Sequence, residues 1–251
     1  MIKKNKILNK NCKIYLKKIK TCSIDLIVID PPYNELPKKW DNFRSWEFIK
    51  KEFSRILKKK GQIYIFGKQP MLSNIYYDFK DSFDFRFELV WSKGKGLWTT
   101  NYAPMRSHEL IWCFKKKDTK VSKLTFNLDD IKTPGEPYVR KNKAVSSVRN
   151  NWEANRTIYK DGKRFPKSVI EQKPVIRKKV SRSIKHPTEK PEELVEWIIK
   201  SSSNKNETVL DCFMGSGTTA AVAKKLGRNF MGCEIDKKFY RYSLDRLKLI
   251  K

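Results

Sequence analysis

Apolar positions along this chain form two kinds of run: short unbroken stretches, and longer ones spaced by three and four. Ile24-Asp25-Leu26-Ile27-Val28-Ile29 is of the first kind, closed by Asp30-Pro31-Pro32-Tyr33. Two prolines cannot supply ladder donors, so the run reads as a buried strand with a loop at its carboxyl end. Phe48, Ile49, Phe53, Ile56 and Leu57 recur at helical spacing behind Ser45, a candidate cap, which predicts a helix from Trp46 to about Lys59 that Gly61 ends. Gln62-Ile63-Tyr64-Ile65-Phe66-Gly67 supplies the next strand, and strand, helix and strand make a parallel βαβ unit. Pro70 opens a helix to about Phe79. Phe85 to Trp91 and Glu109 to Phe114 are two further strands, expected to pair antiparallel because their connection is too short for a helical crossover. Gly94 and Gly96 mark a mobile loop between them. Upstream of all this, Ile14, Leu16 and Ile19 anchor a short element.

Apolar periodicity fades from 115 to 185, where Pro134, Pro137, Pro166 and Pro174, with Asn150-Asn151 and Asp161-Gly162, signal turns. It returns at His186-Pro187-Thr188-Glu189-Lys190-Pro191. There Thr188 is a candidate cap for a helix from Pro191 to Ser202 that buries Leu194, Val195, Trp197, Ile198 and Ile199. Thr208 to Phe213 is a strand, followed by Met214-Gly215-Ser216-Gly217-Thr218-Thr219 and an Ala-rich helix to Leu226 that Gly227 stops. Asn229 to Asp236 is another strand, and Phe239 to Leu249 a closing helix. The pattern is that of one α/β domain over residues 1–251.

Charge sharpens the picture. Lys and Arg number 56 against 27 Asp and Glu, a net +29, so an anionic polymer is the first partner to consider, nucleic acid ahead of an anionic membrane. Residues 115 to 185 include 21 Lys and Arg against 7 Asp and Glu, and this surplus of 14 is about half of the whole. Tyr138, Trp152, Tyr159 and Phe165 interleave with it, which favours a nucleic-acid-contacting insertion over a disordered basic linker. The five cysteines, at 12, 22, 113, 212 and 233, form no C-x-x-C pair and suit reduced thiols in a cytosol-like compartment. Neither a signal peptide nor a membrane-length apolar run is apparent, so the expectation is a soluble, cytoplasmic protein. His108 and His186 are the only histidines, and no metal site is expected.

Candidate chemistry sits at two strand ends. Gly215, Gly217 and Ala220 satisfy G-x-G-x-x-A after a strand and at the start of a helix, with Glu234 at the end of the next strand. Such glycines let the backbone approach a ligand, and such an acid can bind both hydroxyls of a ribose, which points to an adenosine-type site. A Walker loop is absent because no G-K-[ST] follows. Two classes stay open on these residues, a nicotinamide-dependent dehydrogenase and an S-adenosylmethionine-dependent methyltransferase. A dehydrogenase has no use for a proline-locked acid and aromatic ring; an enzyme that methylates an amino group does.

With both elements present, the chain resembles the amino-methylating DNA methyltransferases, in the group where the Asp-Pro-Pro-Tyr loop precedes the Phe-x-Gly-x-Gly loop. Asp30-Pro31-Pro32-Tyr33, His186-Pro187-Thr188-Glu189-Lys190-Pro191, Asp211-Cys212-Phe213-Met214-Gly215-Ser216-Gly217 and Gly232-Cys233-Glu234 carry the resemblance over nearly the whole chain. It implies a Rossmann-like fold with a mostly parallel sheet, one antiparallel strand and a circularly permuted motif order. The chain would then divide into a catalytic half (1–114), a basic target-recognition insertion (115–185) and a cofactor-binding half (186–251).

S-adenosylmethionine is the implied methyl donor, and the implied substrate is an amino group of an extruded base in DNA, expected to be double-stranded. The lone pair of that nitrogen is delocalised into the ring. The Asp30 carboxylate and the Pro31 carbonyl can each accept one N–H and draw the lone pair out, with Pro31 and Pro32 holding the acceptors rigid and Tyr33 stacking on the base.

Asp211, Phe213, Gly215 and Gly217 would line the donor site and Glu234 would hold the ribose, with Asp236 as its competitor. Thr188 and Lys190 would meet the donor's carboxylate end; an ordinary first-turn surface position is the alternative for Lys190. His108-Glu109 matches a weaker motif behind the base pocket, with packing as its simpler role. Asp at position 30 favours N6 of adenine over N4 of cytosine. Structured RNA, a protein glutamine and a non-catalytic DNA-binding relative are the other readings, and a second copy of the chain or a cognate restriction endonuclease are further partners in keeping with the resemblance. Carbon-5 methylation of cytosine is set aside because no cysteine follows a proline.

Overall fold

The computed structural model describes residues 2–33, 43, 45–97, 101–141, 156–159, 162–174 and 189–250. Thr188 and Trp152, both singled out above, lie outside them. Two compact units are distinguished: residues 1–127 with 168–251, and Leu128–Lys167.

The larger unit is built on an eight-stranded sheet. In chain order its strands are β1 (Lys6–Asn9), β2 (Ile24–Ile29), β3 (Leu57–Gly67), β4 (Phe83–Leu97), β5 (Arg106–Lys116), β8 (Val169–Glu171), β9 (Thr208–Asp211) and β10 (Asn229–Glu234). Across the sheet they lie in the order β1-β10-β9-β2-β3-β5-β4-β8. Only β5 runs against the others: it pairs antiparallel with both β3 and β4, while every other pair is parallel. One reversed strand in a mostly parallel sheet matches the expected architecture.

Helices cover both faces, and for this reason the central strands are apolar on both sides. Along β2, Ile27 and Ile29 pack with α1 (Cys12–Leu16), α2 (Trp46–Ile56) and α3 (Met71–Phe79). The alternate residues Leu26 and Val28 face the layer of α4 (Glu192–Ser202) and α5 (Thr218–Lys225), against which α6 (Lys237–Lys248) also packs. Asp25 interrupts the run because it has work at the far end of the seam: buried, it accepts from Lys58 Nζ at 2.8 Å and from the Thr208 N–H at 3.0 Å, joining the starts of β2 and β9.

Four local expectations are corrected. The second helix ends at Ile56, not near Lys59, because Leu57 turns extended (φ −70°, ψ 134°) and pairs with Ile24. Gly61 is consequently inside β3, where a Cβ would lie 2.7 Å from the Asp25 carbonyl oxygen; it permits a close approach of strands and caps nothing. Gly94 and Gly96 lie within β4, which runs on past Trp91 with an irregular register between Ser92 and Leu97. Upstream, Leu16 and Ile19 are buried but Ile14 is 54% exposed, and a strand, β1, precedes α1.

In the smaller unit, β6 (Tyr138–Lys141) and β7 (Arg156–Tyr159) form an antiparallel ribbon, Thr133 bridges to Arg164, and the Lys132 ammonium lies over the Phe165 ring. Among the described residues no helix is long and apolar enough to cross a membrane.

Candidate active site

In chain order β2 leads through α2 to β3 on one side, while β9 leads through α5 to β10 on the other. The two units diverge at the β2–β9 seam, and an open α/β sheet forms its ligand crevice at the carboxyl edge of such a switch point. A cavity of about 250 Å³ opens there. Asp30, Pro31, Pro32 and Tyr33 from the end of β2 line one part of it; Asp211, Phe213, Gly215 and Glu234 from the β9 and β10 side line another, and Lys190 and Glu109 lie in its wall. Residues expected at two separate motifs thus share one cavity.

The glycine loop owes its shape to local rules. Gly215 and Gly217 have φ of +50° and +80°, a region other residues avoid, and Gly217 immediately precedes α5. A Cβ on Gly217 would also stand 2.7 Å from the Ser243 Cβ of α6. Arg246, from the same helix, ties the loop to the segment entering α4: its Nη1 donates to Glu189 at 2.7 Å and Thr218 Oγ1 at 2.9 Å, and its Nη2 to Glu192 at 2.5 Å.

Glu234 accepts from the Gly215 N–H at 2.7 Å through one carboxylate oxygen and from the Asp236 N–H at 2.8 Å through the other. Each oxygen keeps a lone pair for a further donor, as a ribose diol requires. Asp236 is engaged elsewhere, capping α6 by accepting from the Lys238 and Phe239 N–H groups. Burial pushes the Glu234 carboxyl up against those two donors, and pushes Asp211 up to about 7, with Asp30 and Glu234 adding repulsion to Asp211. Five acids line the cavity, Asp30, Glu109, Glu189, Asp211 and Glu234, against two lysines, Lys10 and Lys190; this surplus of acid suits a cationic ligand, and the residues present therefore fit S-adenosylmethionine, whose sulfonium is positive.

Beside Asp30 lies an ion network that sequence patterns did not disclose. Lys190 is only 7% exposed, so it is no surface residue. Its ammonium stands 2.7 Å from Asp30 Oδ2 and 3.2 Å from Glu109 Oε2. Lys93 holds the other oxygen of Glu109. Tyr33 Oη donates to Asp30 Oδ1 at 3.0 Å and is 3.4 Å from Glu109 Oε2. Burial raises the Asp30 carboxyl, Lys190 opposes it and Glu109 adds to it. At Glu109 burial is outweighed by Lys190 and Lys93, which hold its carboxyl below the usual range. Asp30, Tyr33, Lys190 and the weak His108-Glu109 motif were each visible in the sequence; their pairing was not.

Fold and cavity together define an α/β methyltransferase. The family profile described as DNA methylase, for N6 and N4 amino methylation, matches residues 24–245, and the chain belongs to that family. The chain is 35% identical to the Type II methyltransferase M1.MboII of Moraxella bovis over 95% of each sequence. It is 34% identical to the DNA adenine methyltransferase YhdJ of Escherichia coli K12, over 92% of this chain and 79% of that one. Among solved structures, the M1.HpyAVI–SAM complex aligns with a TM-score of 0.63 at 24% identity, covering 96% of this chain and 99% of the other. The cytosine-N4-specific PvuII DNA methyltransferase aligns at 0.68 and 15% identity over 94% and 84%. At such identities the two structures report a shared fold. The chain is thus a site-specific, S-adenosylmethionine-dependent DNA methyltransferase.

Proposed function

We propose that this enzyme methylates N6 of an adenine extruded from duplex DNA, with Asp30 and the Pro31 carbonyl accepting the two amino protons and Tyr33 stacking on the base. The observation that carries this reading is the Asp30 carboxylate in a cavity it shares with the glycine loop. Asp at this position is the variant typical of adenine enzymes, and the E. coli relative named as an adenine methyltransferase supports the same base.

When bound, S-adenosylmethionine supplies an electrophilic methyl group on a cationic sulfur. Glu234 holds the ribose, Asp211, Phe213 and Gly215 line the remainder, Gly217 shapes the loop from outside the cavity lining, and Lys190 pairs with Asp30. Asp30 and Pro31 favour a tetrahedral amino nitrogen and stabilise the positive charge that grows there. Pro32 keeps both acceptors from relaxing away. Tyr33 keeps its ring available to the base because its hydroxyl is tethered to Asp30. The Type II names among the relatives support a modification role beside a restriction endonuclease.

Incubation with labelled S-adenosylmethionine and mixed-sequence duplex DNA, then nucleoside chromatography, should place the label in N6-methyladenine. Label in N4-methylcytosine would overturn the base assignment. Asp30→Ala should lower turnover by roughly 10²–10³-fold, the scale of losing one preorganised polar contact to a transition state, while DNA affinity is mostly kept. Wild-type turnover in that variant would remove Asp30 from the chemistry.

A further inference from the structure

Asp30 accepts an N–H most strongly, and through either oxygen, when it is charged, and its surroundings work against that. Burial pushes its carboxyl up, and the Lys190 ammonium beside it is ringed by Tyr33, Phe66 and Trp91, whose ring centroids lie 5.6, 5.4 and 5.9 Å from that ammonium. A buried acid in such company tends to keep its proton, and a protonated carboxyl offers an O–H where the amino group needs an acceptor. The opposing charge comes from Lys190, an immediate neighbour of Asp30 in space and distant from it in sequence.

Lys190 is itself buried, and an ammonium there is sustained only by paired anions. Glu109 supplies the second anion, and Lys93 on β4 neutralises what Glu109 has left over. The result is an alternating line, Lys93, Glu109, Lys190, Asp30, of two cations and two anions. Tyr33 closes it by donating to the Asp30 oxygen that Lys190 leaves open, and on β9 the Asp211 carboxyl feels the Asp30 charge.

We propose that Lys190, fixed by Glu109 and Lys93, is a positioning residue that holds the Asp30 carboxylate in its charged, acceptor-only form and aims its oxygens for the base. This inference rests on the reading of Asp30 as the acceptor for the amino group. Lys190 touches neither the base nor the methyl group; it acts through Asp30.

The test is the pH profile of single-turnover methyl transfer, combined with a ¹³C-carboxyl NMR titration of Asp30, assigned by its loss in D30N. In K190M the acidic limb and the NMR midpoint should both move up by about 1–3 pH units, the range an opposite charge at this distance commands, and activity lost at neutral pH should return in part under alkaline conditions. K190R, which keeps the charge, should hold both near the wild-type position. E109Q, which removes the repulsion that Glu109 exerts on Asp30 while Asp30 keeps its pairing with Lys190, should move them the other way, to lower pH. A packing role for Lys190 would lower activity equally at all pH values; K190M with an unmoved limb and midpoint, or E109Q shifting upward, overturns the proposal. Circular dichroism establishes folding, and if K190M fails to fold, the sign of the E109Q shift decides. A wild-type enzyme that methylates no DNA would defeat the acceptor reading alone, since the NMR midpoints report the coupling between Lys190 and Asp30 without turnover.

Discussion

Asp211 is a residue whose charge state lies near a physiological boundary. Burial holds its carboxyl near pH 7, and Asp30 and Glu234 add to that, so it is partly protonated in the free protein. A cationic donor favours the ionised form, and binding should release a proton. By linkage, donor affinity rises with pH up to about 7 and falls below it by up to about tenfold per pH unit. Calorimetry in two buffers of different ionisation enthalpy checks this, and an affinity that is flat from pH 5.5 to 8 would exclude Asp211 from the donor site. At this scale the sequence was legible where backbone rules speak. Gly215, Gly217 and Glu234 sit where a glycine-loop pattern requires them. Lys190 and Glu109 were opaque because their meaning is a meeting of side chains from the segment before α4 and from β5, and no local spacing encodes it. Asp236 was separable from Glu234 only once its carboxylate was seen to cap α6.

Among elements, the passage from β9 into α5 depends most on a single position. Gly217→Ala would impose a side chain at φ +80° and drive its Cβ toward Ser243. The expected cost is about 1–3 kcal/mol of stability, with a larger loss of donor binding, because the loop and α6 must separate. Thermal unfolding with and without S-adenosylmethionine measures both, and a wild-type melting curve with full donor stabilisation would show that the loop has slack. Strands apolar on both faces, such as β2, could be read from sequence alone because no other element places Ile, Leu and Val so densely in six residues. The end of α2 could not. Lys58, Lys59 and Lys60 favour a helix by propensity, and the pairing of Leu57 with Ile24 overrides them. β1 escaped notice because four residues flanked by lysines carry no periodicity, although Ile7 is buried.

For the molecule as a whole, the net charge of +29 is the dominant property. If the basic segment tracks a phosphate backbone with about six contacts, the slope of log affinity against log salt for duplex DNA is about −5. Fluorescence anisotropy between 50 and 300 mM salt, with RNA as competitor, tests this; a nearly flat response would return the charge to a solvated surface. The segment's charge was evident in composition, while the β6–β7 ribbon was not, since two four-residue strands among lysines and turns leave no apolar signature.

The sheet order also has a consequence for how the protein comes into being. The sheet neighbour of β1 is β10, and the side chain of Asn9 donates to the Glu234 carbonyl across a separation of 225 residues. At ~5–20 residues per second of synthesis, β1 waits roughly ten to forty-five seconds for its partner. During that interval β2 also lacks β9, and the cavity has one wall. A nascent chain therefore carries Asp30 long before the other wall of its cavity exists, and that wall is complete only when β10 slides between β1, made long before it, and β9, made just before it.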